Sequence, residues 1–430
     1  MRHNVGVVWS ALPLIALAAA APLIAQSVSH DPEIARVPFE EWIAEGKQGS
    51  FKWSMHVTKP QLSVHQRLFS QVEVVIDGVD LAKRRGQGRF LIFVQIKDAK
   101  NNIYQDHGNI DLEKVEEGVK ASNITFSDAA FFLPGDYRVN VALYATATKE
   151  YGVRRANLHV APLAADPLAA SWRNLPAVEI KPTGEPPDSW YLPSIKGRVQ
   201  LSSSPRLPLQ IELIANLTPS ERQSASLQVQ DRNLGFLIPA LKVLAQAEFK
   251  NSSLNVSLVD LVRQRVTFKQ ENVSDLDWTH MRNSLAASDP GIIDVKSLEK
   301  RQEKVRFFLR EINKRVGEMP SSRVIIILSS SVTFGYGQDL EPLRLETPTD
   351  CRVYYIRFQG EPARVYYGPE QPGGRRRRGS MPGQNVSLIS PDADQLAPML
   401  KALSPKVFDV KSAIEVRRAL ASIMNDIAAL

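Results

Sequence analysis

The chain has 430 residues, 43% of them hydrophobic, and carries 53 Lys and Arg against 46 Asp and Glu, a formal net charge of +7. That length exceeds one ordinary core and that hydrophobic content excludes a disordered chain, so two folded domains are expected. The basic excess is spread too thinly along the chain to point to nucleic acid as a partner.

Arg2 and His3 precede an apolar run from Val5 to Ile24, and Ala25 puts a small residue before Gln26. This predicts a secretory signal peptide over residues 1–25, outside the fold. A retained membrane anchor is the alternative, because the run is nearly long enough to span. No later stretch is long and apolar enough to cross a bilayer, so no transmembrane segment is expected after cleavage. Cys351 is the single cysteine, so no intramolecular disulfide forms. Export without disulfides suits a bacterial envelope protein, periplasmic or extracellular. The Cys351 thiol, beside an apparent strand, reads as buried and inert rather than nucleophilic.

Residues 26–50 form a polar lead-in. From Phe51 to Leu163 the chain alternates with period two. Segments 72–76, 90–96, 129–133, 137–144 and 156–160 read as strands, divided by turns at Asp77-Gly78, 98–102 and 134–136. Several short strands with regular turn signals predict a β-sandwich over 51–163. Pro134-Gly135 sets a tight turn, after which Tyr137 opens a strand with Val139, Val141 and Leu143 on one face. This Pro-Gly-x-Tyr pattern resembles the turn common in immunoglobulin-like and fibronectin-like sandwiches.

Residues 164–207 are rich in Pro, Ala and Ser and read as a linker. Trp172, Trp190 and Tyr191 within it are anchors onto a neighbouring domain or, alternatively, a platform for carbohydrate stacking. From 208 onward strands alternate with helices. Strands are expected at 209–215, 254–260, 264–269, 324–328 and 352–358. Helices are expected at 234–249, with Pro239 in its first turn or at a break, at 295–316, and from Ala413 to the end. Ser412 and Glu415 supply a capping box for the last helix. This order predicts a doubly wound α/β domain over 208–430. An insertion at 359–385 interrupts it, and there Arg375, Arg376, Arg377 and Arg378 are candidates for binding an anionic group.

The second domain resembles a von Willebrand factor A (vWA) domain, and more narrowly the vWA-related exported proteins of acidobacterial type. The resemblance rests on the strand at 209–215 running into Asn216-Leu-Thr218-Pro-Ser220, and on Ile325–Leu328 running into Ser329. It also draws on Val259-Asp260-Leu261, Leu276-Asp277-Trp278, Phe307-Phe308 and Tyr354-Tyr355. In that family the first loop carries an Asp and two hydroxyls, and a second Asp follows the fourth strand; together they hold a divalent cation. Here Asn216, Thr218, Ser220 and Ser329 stand at those positions, so the adhesion site is degenerate. Hard cations want at least one carboxylate, so neither Mg²⁺ nor Ca²⁺ is expected as a cofactor unless Asp260, Asp294 or Asp339 compensates.

No motif of a known catalytic constellation occurs. Asp275 and Asp277 beside Trp278 read as an acid pair or as the carboxylate-rich start of a helix, His280 and Ser284 follow Asp277 at spacings any helix produces, and His56, His65, His107 and His159 show no ligand spacing. The first functional expectation is therefore a non-catalytic exported protein that contacts an unidentified protein partner. The contact would use loops at the C-terminal edge of the second sheet, where Phe334, Tyr336 and Asp339 are the candidate residues. A metal-dependent adhesin is the alternative, followed by a hydrolase of envelope polymers using Asp277, His280 or the Trp172 and Trp190 region. The sequence neither names the partner nor sets the oligomeric state.

Overall fold

The computed structural model describes residues 25–26, 34–46, 49–181, 197–216, 227–261, 263–286, 301–317, 323–332, 334, 351–359 and 394–430. The leader-like segment lies outside this set except for Ala25. Ala25–Gln26 (β1) instead pairs in parallel with Tyr104–Gln105.

A helix, α1 (Phe39–Glu45), precedes the first β unit. Its strands are β2 (Trp53–Val57), β3 (Gln61–Leu62), β4 (Leu68–Ile76), β5 (Arg89–Asp98), β6 (Ile103–Asp111), β7 (Ile124–Phe132), β8 (Gly135–Ala145), β9 (Glu150–Val160) and β10 (Val178–Lys181). One sheet runs β1-β6-β5-β8-β9 and the other β10-β7-β4-β2, with β3 paired to β4. Val72, Val74 and Ile76 of β4 meet Phe90, Ile92 and Val94 of β5 and Val139, Val141 and Leu143 of β8 in one core. The strict alternation read for β8 thus delivers its apolar face inward. Tyr137 closes the corner: its hydroxyl donates to the carbonyls of Leu133 (2.8 Å) and Ala177 (3.1 Å). On the outer face of the β5–β8–β9 sheet, α1 lays Phe39 on Phe93 and Trp42 between Tyr144 and Tyr151.

Asp77-Gly78, read as a turn, opens a short helix instead, α2 (Gly78–Lys83). Asp77 caps it by accepting from the amides of Val79 (2.9 Å) and Asp80 (3.1 Å). Gly78 is needed for closeness, since a Cβ there would lie 1.8 Å from the Ser122 carbonyl oxygen.

The stretch expected as a linker is built into the structure where it is described. Val178–Lys181 pairs with β7 along four residues. Ser202–Ser203 (β11) pairs with Glu248–Phe249 (β13) beyond the first helix of the α/β unit. That unit contains β12 (Gln210–Asn216), α3 (Leu227–Ala245), β14 (Ser253–Asp260), β15 (Arg265–Gln270), α4 (Trp278–Ala286), α5 (Arg301–Gly317), β16 (Arg323–Ser330), β17 (Arg352–Phe358), α6 (Leu396–Met399), β18 (Lys406–Val410) and α7 (Ala413–Ala429). Helix α3 starts earlier than its apolar stripe implied, so Pro239 lies in its interior and not in its first turn.

The six-stranded sheet runs β15-β14-β12-β16-β17-β18, all parallel except β15 at one edge. Ranked by position in the unit, that is 3-2-1-4-5-6, the doubly wound order. Leu237, Leu241 and Leu244 of α3 and Val416, Leu420 and Ile423 of α7 cover one face. Val305, Phe308 and Ile312 of α5 and Leu396 and Met399 of α6 cover the other. The α3–α7 layer also belongs to the hydrophobic cluster of the β unit, so one continuous core joins the two. Among the described residues, no helix is long and apolar enough to cross a membrane.

Candidate functional site

In a doubly wound sheet, ligands sit at the carboxyl ends of the strands where the strand order reverses. Here that point lies between β12 and β16, and Asn216 and Ser329 are the last facing pair across it. They end in the expected place because each closes a run of apolar, β-propensive residues buried on both sides. Both side chains are fully buried, and Asn216 Nδ2 donates to Ser329 Oγ at 2.9 Å. Ser329 Oγ in turn donates to the Ser330 carbonyl at 2.7 Å.

The neighbouring strand ends extend this bond into a network that sequence reasoning missed. Tyr355 on β17 interacts with Ser329 and donates to Asp394 Oδ1 at 3.2 Å. Burial, then the nearby Asp394 charge, holds the Tyr355 hydroxyl well above its usual range. Asp394 is completely buried and completely used. Its Oδ1 also accepts the Val332 amide (2.8 Å), and its Oδ2 accepts the Ala397 amide and Arg357 Nη1, both at 3.1 Å. Arg357 continues to Asp409 on β18 through Nε at 2.7 Å, where Gln359 Nε2 also donates at 2.7 Å. Burial works against the Arg357 charge, but Asp409 and Asp394 together offset this and raise its pKa.

These residues do not fit a hard cation. Asn216 and Ser329 are neutral and bonded to each other, and Asp394, the buried carboxylate of their network, has all four of its acceptor positions filled by protein donors. Asp260, at the end of β14, turns to its own loop and accepts from the Arg263 amide at 2.9 Å. Thr218, Ser220, Asp294, Tyr336, Asp339, Arg375, Arg376, Arg377 and Arg378 lie outside the described residues. Phe334 does not offer a contact surface. It is buried in the core under α5 and α6, with its amide bonded to Gln395 Oε1. The apolar ring wins burial because the chain turns back toward α6 directly after β16.

The other candidates resolve into structural roles. Asp277 caps α4 by accepting the His280 amide at 2.9 Å, and Asp275 pairs with Arg198 at 2.9 Å, so the two acids do not act as a pair. His280 packs edge-on to Phe268, and Ser284 donates to the His280 carbonyl. Trp172 is buried, donates from Nε1 to the Gln66 carbonyl at 2.7 Å and carries Arg417 over its ring, leaving no face for a sugar. Trp190 and Tyr191 lie outside the described residues. Cys351 is buried, and burial pushes its thiol up to about 11, out of the nucleophilic range.

No known family profile matches the chain, and no curated protein matches it. Among solved structures, a beta-glucosidase from Listeria innocua is similar over 27% of this chain and 17% of its own, at 12% identity and a TM-score of 0.16. A glycosyl hydrolase family 2 member from Bacteroides cellulosilyticus DSM 14838 is similar over 66% of this chain and 36% of its own, at 11% identity and a TM-score of 0.18. The chain therefore spans about a sixth to a third of those proteins. TM-scores of this size bear on neither fold nor activity.

Proposed function

We propose that the chain is an exported, non-catalytic recognition protein, built from an immunoglobulin-like or fibronectin-like sandwich and a vWA-like domain. Its partner contact uses the loops at the C-terminal edge of the six-stranded sheet. The strand order 3-2-1-4-5-6 with one reversed edge strand supports the doubly wound arrangement that the vWA resemblance implies. The leader-like N-terminus and the lone Cys351 support export.

The observation that carries the reading is the Asn216–Ser329 bond at the switch point. At the two described positions where the resemblance places cation ligands, Asn216 and Ser329 satisfy one another, so binding there falls to loop surface without a metal. Two measurements test this. Melting of the full chain is expected to be the same in EDTA, Mg²⁺ and Ca²⁺, whereas a cation at a hundred times its dissociation constant adds about 2.7 kcal/mol. A photo-cross-linking residue at Tyr336 or Arg263 is expected to give one discrete adduct in cells, with none from Lys250 at the opposite end. No adduct from the edge positions, or an adduct lost with EDTA, overturns the reading.

A further inference from the structure

A cavity of about 540 Å³ opens along the edge of the six-stranded sheet, lined by Gln210 and Glu212 on β12, Asn255 on β14, Thr267 on β15 and Arg315 on α5. That volume is in the range of small-molecule sites. Its floor residue Glu212 stands about 13 Å along β12 from Asn216, and where β15 comes level with Asn216 the strand β14 lies between them. Because β15 is the edge strand, the cavity meets solvent at the side of the sheet.

Its charges oppose one another. Glu311 lies 2.8 Å from Arg315, Glu271 lies 2.6 Å from Lys269, and Glu212 lies 3.7 Å from Arg315. An anion entering the cavity meets carboxylates and a cation meets guanidinium and ammonium groups, so neither is favoured. The floor is a mosaic of donors and acceptors. Glu212 Oε1 accepts Gln210 Nε2 at 3.1 Å and Asn255 Nδ2 at 2.6 Å, while Asn255 Oδ1 accepts the Asn272 amide at 2.9 Å.

Glu212 and Arg315 are both buried, and Arg315 Nε has no hydrogen-bond partner. Such a loosely closed ion pair costs desolvation that apolar packing would avoid. Arrangements that break packing rules in this way concentrate at functional sites. A hydroxyl donates and accepts at one atom, and so satisfies neighbouring carboxylate and amide groups together.

We propose that this cavity binds a neutral sugar of one to a few rings. The test is saturation-transfer NMR and melting of the full chain with chitobiose, maltose and cellobiose, with putrescine and glutarate as charged probes. At least one disaccharide is expected to show transfer and raise Tm, and both charged probes are expected to be silent. Thr267→Trp, which narrows the cavity from the edge strand, is expected to weaken sugar binding by about tenfold or more. Asn255→Leu is expected to do the same by removing a floor donor; Thr267→Trp carries the test if Asn255→Leu melts low. Silence from all three sugars, binding that survives Thr267→Trp, or a preference for either charged probe overturns the proposal.

Discussion

Ser329 shows how one side chain decides what a strand end can do. A carboxylate there would meet the Asn216 amide and the Tyr355 hydroxyl with charge to spare for a ligand, whereas a hydroxyl is used up by those neighbours. His65 is a second residue whose surroundings decide its chemistry. It is buried edge-on to Phe131, and burial lowers its pKa to about 3, helped by the positive charges of Lys242, Lys181 and Arg67. The neutral imidazole is thus the folded form, while the unfolded chain protonates near 6.5. Stability from this residue is present above pH 6.5 and is lost as pH falls toward about 3. Relative to His65→Leu, the wild type is expected to lose about 1.4 kcal/mol per pH unit through that window, read from urea unfolding at pH 7, 6, 5 and 4. Parallel stability curves would show that His65 is not held neutral. Asn216 and Ser329 were legible in the sequence because each ends a conspicuous apolar run. Asp394 was not, because its only signal is tertiary: four donors converging from the chain just after β16, from β17 and from the start of α6.

At the scale of elements, legibility followed burial. Strands β5, β8 and β14 carry apolar residues at the period their packing demands, and the sequence shows them plainly. Strand β6 reads Ile-Tyr-Gln-Asp-His-Gly-Asn-Ile-Asp and is half-buried over most of its length, so no alternation announces it. Strand β18 is short and mostly exposed, and it too left no pattern. The capping box of α7 formed with a shift: Ser412 accepts the Glu415 amide at 3.4 Å, but Glu415 reaches back to the Lys411 amide at 2.6 Å. Asp77-Gly78 misled because the same dipeptide suits a turn and a helix start, and only the close approach of Ser122 and Val119 separates them. As the cap of α2, Asp77→Ala is expected to cost about 1 kcal/mol and Asp77→Asn close to nothing, measured by denaturant unfolding. Equal losses would assign the cost to charge rather than to capping.

Across the whole molecule, the described part of the stretch between the two units acts as a seam. Arg417 of α7, fully buried, donates from Nε and Nη2 to Asp166 at 2.5 and 2.8 Å and from Nη2 to the Leu168 carbonyl at 2.8 Å. Its guanidinium also lies 4.5 Å above the Trp172 ring. Gln66 reaches from the β unit to the Ala413 carbonyl, and Ser203 reaches the Met424 carbonyl. Proline-rich composition suggested a spacer, but composition records backbone stiffness and not what the backbone is pinned to. Removing the guanidinium leaves Asp166 buried and unpaired, so Arg417→Ala is expected to cost on the order of 3 kcal/mol. Lysine lacks the planar fork and the stacking face, so Arg417→Lys is expected to recover little of it. Arg417→Met combined with Asp166→Leu removes both charges and is expected to restore most of the loss. The continuous core predicts that the wild type unfolds in one transition and that Arg417→Ala uncouples the two units into two. Chemical unfolding followed by tryptophan fluorescence and far-UV circular dichroism reads this directly. Two separate transitions already present in the wild type would mean that the seam carries no coupling between the two units.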